Sequence, residues 1–304
     1  MRRVPKGVIH CPVTPFFPDG QVDYGTFEKV VNFHLAHGPS ALGILLHIGE
    51  SLNLSIEERK KLLELAVKVA GGRVPVIAHV SMPGTPQAVD LAQHAEKVGA
   101  DAVCVITPYY WKPPEEAIFA HYVAVGTAVQ IPLIAYNSPL LQEGVCLRPK
   151  LLVRLIERLP NFIGVKDAGN NFEDFIEARR ATQAVKPDFA LFIGVEYLLP
   201  TMIMGAVGSM SAISGVAPKL VQDLYGACAQ GQYDRARELQ DKASHLWQLF
   251  KIEYPAPIKA GMEIMGRPVG PTRLPIRPLT EEGKQRLREE LQKLGILSQE
   301  PHGW

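Results

Sequence analysis

The chain has 304 residues, 47% of them hydrophobic, enough to bury a large core in one or two domains. Its 32 Lys and Arg nearly balance 31 Asp and Glu, a formal net charge of +1. No basic surplus points to nucleic acid, and no polybasic cluster points to a membrane surface.

Four cysteines (Cys11, Cys104, Cys146, Cys228) are widely spaced with no CxxC pair, which suits reduced thiols better than disulfides or zinc. The segment from Met1 to Lys6 lacks the apolar region of a signal peptide. No apolar run approaches the roughly 18 residues of a membrane span. A soluble cytoplasmic protein is expected.

Short apolar runs alternate with longer amphipathic ones along the chain. A strand is expected over Val8–Thr14, a helix over Tyr24–Ala36, and a second strand over Ala41–Leu46. Ser55, followed by Glu57 and Glu58, caps a helix over Ser55–Ala70. Strands Val74–Val80 and Ala102–Thr107 flank a helix over Pro86–Val98, and a further helix covers Pro114–Ala128. Pro132–Tyr136 and Phe162–Lys166 read as strands around a helix over Pro149–Arg158. Phe172–Ala184 then reads as a helix, Phe189–Ile193 as a strand, Glu196–Met204 as a helix and Val207–Ser211 as a strand. Pro86, Pro114, Pro149 and Pro218 stand where a helix start tolerates proline, the last opening Pro218–Ala229.

Eight strands in this alternation predict an α/β fold, a (β/α)8 barrel over residues 1–230. Beyond Gly231 the pattern is helical only, over Tyr233–Phe250, Ala256–Met265 and Glu281–Leu294. Residues 231–304 are therefore expected as a helical extension packed on the barrel, with the proline-rich link Arg267–Pro278 crossing its surface.

Chemistry in such barrels sits at the C-terminal strand ends and in the loops after them. Those places hold His47-Ile48-Gly49-Glu50 after the second strand, His79 at the third, and Pro108-Tyr109-Tyr110-Trp111 after the fourth. Tyr136 ends the fifth and Lys166 the sixth; Gly194 follows the seventh, and Met210 and Ser211 close the eighth. A buried lysine loses ammonium stability to desolvation, which leaves more free amine to attack a carbonyl. Lys166 and Tyr136 together suit a Schiff base with a phenolic proton shuttle. The other reading of Lys166 is a strand-end lysine that points to solvent.

The order and spacing of several short motifs resemble the dihydrodipicolinate synthase / N-acetylneuraminate lyase family of class I aldolases. They are Thr14-Pro15-Phe16, Gly49-Glu50-Ser51, Thr107-Pro108-Tyr109-Tyr110, Tyr136-Asn137-Ser138-Pro139, Gly164-Val165-Lys166-Asp167 and the closing Gly270-Pro271-Thr272-Arg273-Leu274-Pro275. The resemblance implies a Schiff base between Lys166 and pyruvate or a longer 2-oxo acid, with Tyr136 as proton shuttle and no metal or organic cofactor. It also implies that Tyr110 reaches into a neighbouring subunit, in a homodimer or a homotetramer built as a dimer of dimers. Substrate contacts are expected from His47, Ile48, Gly49 and Glu50, and from Gly194, Met210 and Ser211 across the ring.

Two departures stand out. Family members usually carry two hydroxyl residues before Gly49-Glu50, and here these are His47 and Ile48. Backbone N–H groups of Ile48, Gly49 and Glu50 would then form an anion nest, with His47 as a cation or a group titrating near neutral pH. The family synthase has an arginine for a dicarboxylic substrate where this chain has Leu141. With Trp111 and Lys112 beside Tyr110, the chain looks closer to the 2-keto-3-deoxy sugar acid aldolases and dehydratases. Synthase-like condensation of pyruvate with an aldehyde is the alternative. Two rival readings are a metal-dependent barrel using His10, His47 and His79, and a non-catalytic sensor of oxo acids.

Overall fold

In the computed structural model, which describes residues 6–139 and 145–304, eight parallel strands close into a barrel in the order β1 to β8. The strands are β1 Gly7–His10, β2 Ala41–Ile44, β3 Val76–His79, β4 Ala102–Ile106, β5 Leu133–Asn137, β6 Phe162–Asp167, β7 Ala190–Ile193 and β8 Gly208–Ser211. Between them run α1 Tyr24–Ala36, α2 Ile56–Ala70, α3 Thr85–Lys97, α4 Glu115–Thr127, α5 Pro149–Arg158, α6 Phe172–Val185 and α7 Leu198–Ile203. After β8 come α8 Pro218–Ala229, α9 Tyr233–Phe250, α10 Ala256–Ile264, α11 Glu281–Lys293 and α12 Ile296–Gln299.

Strand side chains alternate between two apolar clusters, as a period of two requires. Ala102, Cys104, Ile106, Ile134 and Tyr136 point into the barrel. Val103, Val105, Leu133 and Ala135 face the helices. The same alternation sends Tyr136 inward from β5 and Lys166 inward beside it from β6, where the two are register partners. The inner cluster continues through α8 to α12. On α9 it takes Ala236, Leu239, Ala243, Leu246 and Phe250, spaced so that one stripe of the helix meets the barrel. This stripe is why an all-helical segment stays docked.

Local signals act as expected at several ends. Ser55 and Glu58 form a reciprocal capping box on α2, and Gly71 closes that helix at φ +55°. Others differ. β1 stops at His10 because Pro12 and Pro15 cannot donate to a ladder; Cys11 N–H makes one more bond, to Ser211 O at 3.2 Å. Pro114 is the N-cap of α4, not its first residue. The helix expected over Glu196–Met204 divides into a 3-10 turn, Val195–Tyr197, and α7. The link after α10 is partly interior, with Arg267, Val269 and Thr272 buried. Leu141 lies outside the described residues.

Candidate active site

A cavity of about 420 Å³ opens at the C-terminal ends of the strands. Lys166 and Tyr136 are buried in its wall, so the solvent-pointing reading of Lys166 is set aside. The Lys166 Nζ lies 4.3 Å from the centre of the Tyr136 ring. Burial pulls the Lys166 ammonium toward the neutral amine, but Tyr136 and the carboxylate of Glu196 outweigh it, and the net shift is upward. This corrects the expectation that burial alone sets this amine. Glu196 is itself raised, burial exceeding the opposing attraction of Lys166. Ser138 and Asn170, from the loops after β5 and β6, add polar groups to this side.

The aromatic part of the wall comes from the β2 loop, the end of α9 and the turn joining α9 to α10. The His47 ring lies against Tyr254 with centroids 4.9 Å apart, and Tyr254 meets Trp247 edge-on at 5.8 Å. Leu46, Ile48 and Met210 extend this wall with hydrocarbon, and Lys251 and Ile252 stand exposed on its rim. Burial, with Lys166 nearby, lowers His47 to about 4. A neutral imidazole supplies neither the expected cation nor a group titrating near pH 7. Two of the three N–H groups of the expected anion nest are used within the turn, that of Gly49 donating to Leu46 O at 2.8 Å and that of Glu50 to His47 O at 3.0 Å.

Of the remaining expected substrate contacts, Gly194 and Met210 line the cavity, while Gly49, Glu50 and Ser211 do not. Glu50, at φ +53°, turns away from it and pairs with Lys259 at 2.7 Å, both side chains buried. It also accepts from Arg273 N–H at 2.9 Å. Burial lowers the Lys259 ammonium to about 8 even beside Glu50. Arg273 bonds both oxygens of Glu58 at 2.8 Å and lies 4.4 Å over the Phe16 ring. Thr14 Oγ1 donates to Gly49 O at 2.6 Å, and a Cβ on Gly270 would collide with Phe16 O. The first, second and last recognised motifs therefore clasp the extension to the barrel mouth.

Tyr110, at φ +77°, is 86% exposed and packs edge-on against Trp111, away from its own cavity. His10, His47 and His79 do not converge. His10 contacts His34 Nδ1 to Nδ1 at 3.2 Å, His47 stacks on Tyr254, and His79 contacts Ser81 Oγ at 2.8 Å. Among the described residues, no group of three His, Cys, Asp or Glu is arranged to hold a metal ion. The four cysteines are free, and burial raises Cys11, in the cavity wall, to about 12 despite Lys166.

A family model described as the dihydrodipicolinate synthetase family matches residues 4–294. The chain belongs to that family. Family membership makes it a lyase of the Schiff-base, class I aldolase type. Among its curated relatives, the 4-hydroxy-tetrahydrodipicolinate synthase of Methanopyrus kandleri is 37% identical over 298 residues, covering 96% of this chain and 97% of the relative. The synthase of the same name from Bartonella bacilliformis is 38% identical over 296 residues, covering 97% and 99%. Among solved structures, YagE of E. coli K12, a prophage protein of the dihydrodipicolinic acid synthase family in complex with pyruvate, superposes with a TM-score of 0.92 at 29% identity. That match covers 96% of this chain and 99% of YagE.

Sequence reasoning missed Glu196, Trp247 and Tyr254 as residues of this family member's cavity. Glu196 reads as a helix-start acid, and only its place two residues after Gly194 hints at the mouth. Trp247 and Tyr254 lie beyond the last strand, where the strand-end rule does not look. Among the described residues, no helix is long and apolar enough to cross a membrane.

Proposed function

We propose that Lys166 forms the Schiff base, with pyruvate as the 2-oxo acid, and that Tyr136 carries protons for it. The observation that supports this most directly is the in-register pair on β5 and β6, with the Lys166 nitrogen over the phenol ring. The ammonium sheds a proton before attack, and the Glu196 carboxylate beside it is the acceptor within the cavity. The free amine adds to C2 of pyruvate, and Tyr136 protonates the departing hydroxyl as the carbinolamine loses water. The iminium draws electrons from C3, which returns a proton to the Tyr136 oxygen that has just given one up and becomes an enamine carbon able to add to an aldehyde. Reversal of these steps cleaves a 4-hydroxy-2-oxo acid.

Condensation or cleavage between pyruvate and an aldehyde is favoured over a sugar acid reaction. The relatives bear the name of a synthase, and much of the cavity wall is hydrocarbon and ring. Lys166→Ala should abolish turnover with the fold retained, and Tyr136→Phe should slow it by about 10²–10⁴-fold. Substantial activity in a folded Lys166→Ala protein would refute the assignment.

Tyr110 is read as completing a neighbouring copy's site, since its ring is exposed and turned from its own. A homodimer or homotetramer should then appear in sedimentation; a monomer with full activity would contradict it.

A further inference from the structure

The cavity has a polar part and an aromatic part. Its polar side, with Lys166, Tyr136 and Glu196, belongs to β5, β6 and the turn after β7. The aromatic part is reached from β2, which stands across the closed barrel from β6, and from the end of α9 and the turn after it, α9 itself packing on the turn that carries Glu196 through Gln240 and Ser244. There the rings of His47, Tyr254 and Trp247 run as one continuous row, with centroid spacings of 4.9 and 5.8 Å, beside Leu46 and Ile48. Among the described residues, no arginine lines the cavity, Lys251 stands exposed at its rim, and the half-buried carboxylate of Glu196 would repel a second carboxylate on an incoming aldehyde.

We infer that the aldehyde partner of pyruvate is aromatic, its ring lying along the row His47–Tyr254–Trp247. This names the acceptor class for the site proposed above, and it rests on the Lys166 reading. A flat apolar ring gains from both burial and offset or edge-on packing against such a wall. A polyhydroxylated chain would set much of its length against hydrocarbon, and an aldehyde bearing a carboxylate would meet Glu196 with only the exposed Lys251 at the rim to offset it. The reaction needs no other reagent. The enamine carbon bonds to the aldehyde carbon, the carbonyl π pair moves to its oxygen, and that oxygen takes a proton from Tyr136. Water then hydrolyses the iminium, returning the Lys166 amine and releasing a 4-aryl-4-hydroxy-2-oxo acid.

The test is pyruvate condensation by the full chain with benzaldehyde, D-glyceraldehyde and succinic semialdehyde, run beside borohydride trapping of pyruvate alone. The expected result is a kcat/KM for benzaldehyde at least about tenfold above both others, with Trp247→Ala reducing that ratio. Faster turnover of either polar aldehyde overturns the inference. So does failure of all three aldehydes in protein that traps pyruvate on Lys166, an outcome that leaves the lysine chemistry standing. Absence of a pyruvate adduct would instead overturn the lysine reading and this inference with it.

Discussion

The Lys166 ammonium is held by opposed effects: desolvation favours the amine, while the Tyr136 phenol and the Glu196 carboxylate favour the charge and prevail. Replacing Glu196 by glutamine removes a negative neighbour and so lowers the Lys166 pKa. The rising limb of the pH profile for adduct formation, where the ammonium gives way to the attacking amine, should therefore move to lower pH in Glu196→Gln. An unchanged or upward-shifted limb would show that Glu196 does not act on the amine. The lysine and the tyrosine were legible in the sequence because each ends an apolar run at a place where a barrel keeps its chemistry. The direction of the lysine's shift was not, because it depends on a carboxylate some thirty residues further along, brought close only when β7 pairs with β6. His47 was misjudged for a related reason: its ring is covered by Tyr254, from an element that no local pattern ties to β2.

Among the elements, the clasp at the barrel mouth is the least local feature. Glu50 and Lys259 are buried together, and each is an uncompensated charge without the other. Glu50→Ala should destabilise the protein by about 3–5 kcal/mol, read as a lowered denaturant midpoint. Loss of under about 0.5 kcal/mol would mean that the pair adds nothing to the docking of α10. The motif Gly49-Glu50-Ser51 was visible in the sequence, but its acid reads as a substrate ligand until Lys259 and Arg273 are seen beside it. By contrast, the eight strands and their intervening helices were legible almost throughout, since each rests on local periodicity and on caps such as Ser55. Misplaced ends fall where proline or a 3-10 turn intervenes, at Pro12, Pro114 and Val195.

For the molecule as a whole, buried imidazoles dominate the expected response to acid. Burial lowers His10 and His79 to about 3, and His47 and His121 to about 4, and it holds His34 well below its ordinary value. Unfolded histidines take up protons near pH 6.5, so these groups stabilise the fold fully above that pH and lose their contribution as pH falls toward 4 and 3. Glu300 works the other way. It accepts from Lys219 and Leu220 N–H, yet burial raises it to about 7, so its contribution fades as pH rises from about 4.5 to 7. Raised Glu196 and Asp167 oppose the histidines in the same sense. The imidazole shifts are the larger set, and the midpoint of urea unfolding should fall between pH 7 and pH 5; a flat or rising midpoint would contradict this balance. The chemistry that the whole barrel arranges is tested most directly by borohydride reduction of the folded protein with pyruvate, followed by peptide mass mapping. The account predicts one reduced pyruvate adduct, on Lys166. An adduct on another lysine, or none, would contradict it.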